Sequence, residues 1–200
     1  MLLFGHAGLT LGLALLLARV TTDSACARNS KVRLTEASNR NEIEMSGVKP
    51  LADYDARLLL VGSLLPDIID KPVGQFFFRE TFSNGRIFGH TFLFFALISI
   101  IGFYLYRYGH KTWLLVLSFG TFTHLIFDQM WLASHTLLWP LYGFAFEREE
   151  LTDWTNILHG LVTNPQVYLP ELAGIAILVW FTQSLVRRRR AFAFIKHGQV

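Results

Sequence analysis

Apolar residues fall along this chain in long blocks. Residues 1–18, 87–106, 112–127 and 172–186 contain no Lys, Arg, Asp or Glu. A helix needs roughly 20 apolar residues to cross a bilayer, with a range of about 17–25. Flanking Tyr, Trp and Arg therefore have to extend these blocks to a spanning length. A shorter block, "LLLVGSLLP" at 58–66, reaches back through "LADYDAR" to about Leu51 and adds a further element, spanning or re-entrant. The pattern predicts helices at 2–19, 51–66, 88–106, 112–132 and 170–187. The expected fold class is all-α: a polytopic membrane protein with four or five transmembrane or membrane-embedded helices in one domain, 1–200.

Two segments interrupt the blocks. Residues 20–50 are polar, mixed in charge and poor in large apolar side chains, so they are expected to form a flexible loop. Residues 133–169 carry Trp139, Pro140, Tyr142, Phe144, Phe146 and Trp154. They are expected to form an ordered aromatic loop at the outer interface, with one short helix. Pro66 is expected to end its helix, leaving Asp67 at a helix end or turn.

Composition supports the membrane reading. Charged residues make up 16% of the chain and hydrophobic residues 52%, whereas a soluble domain carries about 25% charge. The N-terminal block has no basic flank, which favours an uncleaved helix over a signal peptide. Cys26 is the single cysteine, which excludes an intrachain disulfide and a thiolate-rich metal site.

The basic residues also argue for topology. Five lie in the tail from Arg187 onward, two in 107–111 and seven in 19–57. The intervening loops hold three between 67 and 90 and one between 131 and 171. The positive-inside rule then predicts an integral plasma-membrane protein with the N-terminus outside. The 20–50 loop and the basic 187–200 tail would be cytoplasmic. Basic residues placed this way give no reason to expect nucleic-acid binding.

Asp128 is the only formally charged residue between Lys111 and Glu147, and it follows His124 by four positions in "THLIFDQMW". On a helix the two share a face. Ionisable groups in membrane segments are costly and mark function by default. The predicted topology puts His6, Asp67, Asp70, His90, His124 and Asp128 at one depth, on the outer side. Imidazoles and carboxylates without a thiolate suit zinc, manganese or iron. His135 and His159, in the aromatic loop, are weaker candidates. Each residue also has a structural alternative: a buried hydrogen-bonded pair for His124 and Asp128, and helix caps for Asp67, Asp70 and His90.

"GSLLPDIIDKP" (62–72), "GRIFGHTFLF" (85–94), "HLIFDQMW" (124–131) and "WP" (139–140), preceded by an N-terminal His, resemble the membrane-bound metal-dependent hydrolases. Members of that family are described as inner-membrane hydrolases, some labelled LexA-binding. The resemblance covers about residues 1–140. It matches Asp67, Arg86, His90, His124 and Asp128, with Thr91 where the family has Ser. It departs at Gly85, where the family has His, and at Asp70, one position later than the family's second acid.

More distantly, the order of residues is similar to the zinc-dependent phospholipase C and single-strand nuclease fold. That likeness implies one metal on Asp67, His90, His124 and Asp128, and a second held by His6 with Asp128 shared. The function expected is metal-dependent hydrolysis of an ester or phosphoester, in a lipid or another substrate, at the outer interface. Metal ligands would be His6, Asp67, His90, His124 and Asp128, with zinc the leading metal. Asp70 would be a further ligand or the base orienting water, and Arg86 would pair with phosphate. The alternative is a non-catalytic membrane scaffold or regulator built round a structural polar or metal cluster.

Overall fold

The computed structural model describes residues 3–36, 54–146 and 154–198, and every regular element among them is helical. The elements are α1 (Leu3–Glu36), α2 (Ala56–Lys71), a π-helical turn (Pro72–Phe77), α3 (Phe92–Gly109) and α4 (Trp113–Phe127). A 3-10 turn (Met130–Leu132), α5 (Ser134–Leu137), α6 (Trp154–Thr163), α7 (Pro165–Arg187) and α8 (Ala191–His197) follow. Among the described residues, three stretches are long and apolar enough to cross a membrane: Leu3–Thr21, Phe92–Gly109 and Pro165–Arg187. The other two predicted membrane elements are shorter, 16 residues for α2 and 15 for α4.

Four expectations change. The polar stretch after residue 19 does not begin as a loop, because α1 continues to Glu36. No glycine or proline occurs between Gly12 and Gly47, so nothing breaks the helix where hydropathy falls. Residues 37–50 of the expected loop lie outside the described residues. The aromatic segment holds two short helices, α5 and α6, with 147–153 outside the described residues. Helix α3 begins after His90, because Thr91 is its N-cap and accepts from Phe94 N at 3.1 Å.

The fourth change concerns Pro66, which lies inside α2 instead of ending it. A proline removes the N–H that would bond the carbonyl four residues earlier. Here that carbonyl belongs to Gly62, and the Thr121 hydroxyl of α4 donates to it at 3.3 Å. One residue on, the Ser63 carbonyl accepts from His124 Nδ1 at 2.7 Å. The helix survives its proline because α4 supplies donors.

That exchange requires close contact between α2 and α4. A Cβ on Gly120 would stand 2.6 Å from Ser63 N, and one on Gly62 would stand 2.5 Å from Leu117 O. Membrane helices approach closely through small residues, because lipid gives little hydrophobic drive to pack them. Gly8 of α1 and Gly174 of α7 meet in the same way.

These contacts set helix direction. Helices α2 and α4 run parallel, as do α1 and α7, where Phe4 N donates to Glu171 Oε2 at 3.1 Å. Helices α3 and α4 form an antiparallel hairpin with Ser99 and Ser118 hydroxyls 2.6 Å apart. The start of α1, end of α2, start of α3, end of α4 and start of α7 therefore share one end of the bundle. At the other end, α8 folds back onto α2: Gly198 O accepts from Ala56 N at 3.0 Å and Ile195 O from Arg57 Nη1 at 2.7 Å. The Arg57 guanidinium, hydrogen-bonded to Asp55, holds that carboxyl below the usual carboxylate range.

Gly120→Leu should force α4 off α2. The expected cost is about 1–3 kcal/mol, the range for overpacking, measured as a fall in the unfolding midpoint in detergent. An unchanged midpoint would contradict the close α2–α4 contact.

Candidate metal centre

At the shared end, three imidazoles and two carboxylates meet. His6, His90 and His124 are fully buried, and the Asp128 side chain is 5% exposed. His124 is placed by α4, and its Nδ1 bonds the Ser63 carbonyl. A carbonyl only accepts, so Nδ1 carries the hydrogen and Nε2 presents its lone pair.

His90 is held by a different device. Its Nδ1 lies 2.7 Å from Asp70 Oδ2. Asp70 also accepts from the backbone N–H groups of Ile87 (2.8 Å), Gly89 (2.8 Å) and His90 (3.2 Å). A carboxylate surrounded by donors fixes Nδ1 of His90 as the protonated nitrogen. The Nε2 atoms of His90 and His124 then face each other at 3.1 Å. With both Nδ1 atoms protonated, two neutral rings aim lone pairs at one point. This contact is repulsive unless a proton or a metal cation lies between them.

His6 adds to the same point. Its ring stacks on that of His124 with centroids 4.0 Å apart. Neither His6 nitrogen makes a hydrogen bond, although Nε2 is 3.4 Å from Asp128 Oδ1. Buried polar atoms without partners are rare and call for an explanation such as a bound ion. Carboxylates close the shell: Asp67 Oδ1 is 3.6 Å and Asp128 Oδ2 is 3.9 Å from His90 Nε2. Ligand atoms at the corners of a zinc tetrahedron, with bonds of about 2.0–2.1 Å, stand about 3.3 Å apart. The observed separations bracket that value, so the donor set fits a small divalent cation.

Two groups of ligand atoms lie close enough to hold one: His6, Asp67 and His124, and His90, His124 and Asp128. His124 is common to both. This differs from the grouping implied by the resemblance, in which Asp128 is shared and His6 stands apart. The separations, read alone, place Asp67 with His6.

The mouth of the cluster lies where Asp67 is 15% exposed beside Lys71, whose Nζ is 2.7 Å from Asp67 Oδ2. Arg86 stands at the same mouth, 38% exposed, and donates from Nε to Asp128 Oδ2 at 2.8 Å. Its backbone N–H bonds Asn84 Oδ1 at 2.7 Å. Two of the aspartates, Asp67 and Asp128, each pair with one of these cationic side chains. Above the 83–91 loop, Phe88 packs edge-on against Trp139 (5.5 Å) and Phe146 (5.1 Å). The aromatic segment thus covers the loop that carries His90.

Six sequence candidates come together, but not in equal roles. Asp70 is turned toward the loop backbone and His90 Nδ1, and both of its oxygens are occupied. Asp67 sits within α2, not at its end. His135 packs near Tyr142 at 6.0 Å and His159 pairs with Thr163 on α6. Neither belongs to a ligand group among the described residues.

Sequence reasoning passed over Glu171. This carboxylate is 4% exposed and holds the first turn of α1, which carries His6. The signal was present, since Glu171 is the only acid in Pro165–Arg187.

Comparisons with known proteins are few. The model of one family, described as YdjM inner membrane protein, matches residues 1–193. No curated protein and no solved structure matches the chain significantly.

Asp70→Ala should be strongly destabilising. It leaves four donors without an acceptor, at about 1–3 kcal/mol for each one that stays dry. Asp70→Asn, which keeps one acceptor oxygen, should lose less. Thermal unfolding of both variants in detergent checks the order.

Proposed function

The chain belongs to the YdjM inner membrane protein family, and from that premise we propose that it is a metal-dependent hydrolase of esters or phosphoesters at the membrane surface. The observation that carries this reading is the convergence of imidazole nitrogens: both of His6 are buried without a hydrogen bond, and the Nε2 atoms of His90 and His124 face each other at 3.1 Å. His6, His90 and His124 offer nitrogen ligands, and Asp67 and Asp128 offer oxygen ligands. The set is that of a zinc-type site, with manganese or iron as alternatives.

A divalent cation, when bound, supplies a water-derived nucleophile near neutral pH and polarises the scissile group. The chain's own residues do the rest. Asp70 is a positioning residue that holds the tautomer and angle of His90. The Ser63 carbonyl does the same for His124. Arg86 at the mouth pairs with an anionic substrate, as guanidinium does with phosphate. Lys71 adds a second positive charge to the same approach. The aromatic cover of Phe88, Trp139 and Phe146 gives an apolar rim suited to a lipid ester. The distribution of Lys and Arg puts this end outside and the C-terminus in the cytoplasm.

Metal content of detergent-purified protein, measured by mass spectrometry, tests the reading. Wild type should carry at least one equivalent of zinc or manganese, and His124→Ala and Asp128→Ala should lose it while keeping their helix content. Wild type that stays metal-free after reconstitution would return the cluster to a structural polar network and favour the scaffold reading.

The role of Asp70 has its own readout. Asp70→Asn removes no ligand, yet it should weaken zinc binding about 10–100-fold, the usual cost of a lost outer partner. A zinc titration showing unchanged affinity would contradict the positioning role.

A further inference from the structure

The opposite end of the bundle holds a cavity of ≈ 820 Å³ that the reading above does not use. Its walls come from α1, α2, α3, α4 and α7, with Leu15, Leu59, Val116 and Phe119 among the apolar residues facing it. Protein interiors are close-packed, with few voids larger than a water molecule. A space of this size lies within the range of sites that take small organic ligands, about 300–1,000 Å³.

Its depth and its rim narrow the occupant. From Leu11 to Arg19, both on the wall, α1 advances eight residues, or about 12 Å. One leaflet of hydrocarbon is about 15 Å thick, half of a roughly 30 Å core. The cavity therefore starts at the bundle end and runs most of the way through one leaflet. At its open end stand two arginines, Arg19 and Arg188, both exposed. Neither makes an ion pair with a described residue. Thr21 and Ser184 also line the cavity, and Arg187 and Gln183 line an adjoining hollow that shares Trp180 and Arg188. An apolar shaft with a cationic rim complements a molecule with an anionic head and a hydrocarbon tail.

We propose that this cavity is a binding site for an anionic phospholipid of the surrounding leaflet, with an acyl chain in the shaft and the phosphate between Arg19 and Arg188. Guanidinium groups pair bidentately with phosphate, and basic residues at this level attract anionic lipid. The site is independent of the histidine cluster, which lies at the other end of the same helices.

Trp180 lines the cavity and is 51% exposed, so it serves as the probe. Full-length protein is reconstituted in phosphatidylcholine vesicles doped with phosphatidylglycerol or phosphatidylcholine, each brominated on the acyl chain. The fluorescence that Trp180→Phe removes is the signal followed. Brominated phosphatidylglycerol should quench it with about a fivefold preference over brominated phosphatidylcholine. Arg19→Gln with Arg188→Gln should abolish the preference, and Ala14→Phe should block quenching by filling the shaft. Helix content by circular dichroism shows that each variant is folded. The arginine pair, on the surface, keeps the test valid if Ala14→Phe fails to fold.

Equal quenching by the two lipids would mean ordinary bilayer contact and would overturn the proposal. So would a preference that survives loss of both arginines. Absence of quenching in wild type would also overturn it.

Discussion

One carboxylate with no exposed surface, Asp70, holds this end of the molecule together. It accepts three backbone N–H groups from the 87–90 segment and one imidazole nitrogen. A buried charge is tolerated only when it is fully hydrogen-bonded, and here that demand dictates the path of a loop. The 83–91 segment must lie across the end of α2 to satisfy Asp70. In doing so it delivers His90 to the cluster and presents Phe88 to the aromatic cover. The loop conformation, the entry into α3 and the orientation of one ring all follow from one acid.

A second dependency runs between helices. Pro66 deprives the Gly62 carbonyl of its donor, and α4 answers with the Thr121 hydroxyl, while His124 bonds the Ser63 carbonyl beside it. The price is intimate packing, which Gly62 and Gly120 permit. The return is chemical, because the same close approach lets His124 Nδ1 bond the neighbouring Ser63 carbonyl, which fixes the tautomer of His124. Helix packing and ring electronics thus depend on one close approach of α2 and α4. His6 differs: no hydrogen bond orients it, and its stacking on His124, its contact with Asp128 and the grip of Glu171 on α1 hold it in place.

The bundle has two chemically distinct ends. One concentrates imidazole and carboxylate in a buried cluster flanked by Lys71 and Arg86. The other opens an apolar shaft beneath an arginine rim. The chain reverses direction at each turn, so alternate helix ends gather at each face. Polar residues scattered along the sequence converge because each sits at the appropriate end of its own helix.

Much of this was legible without coordinates. Charge-free blocks marked the long apolar helices, since hydrocarbon tolerates no unpaired charge. The same cost singled out His124 and Asp128, and counting crossings brought His6, Asp67, His90 and those two to one depth. Local pattern failed where a distant partner decides. It ended α2 at Pro66, because the donors that rescue the helix lie on α4. It read Asp70 as a ligand or base, because the backbone groups that occupy it come from a loop 17 to 20 residues away. It began a loop at residue 20, where only an explicit breaker would have stopped α1. Sequence by itself picked out the ionisable residues in and beside the apolar blocks and the end of the bundle they share. Tertiary structure decided which of them face one another and which are spent holding the others. Hydrogen-bond partners are settled by three-dimensional proximity, and periodicity does not encode that.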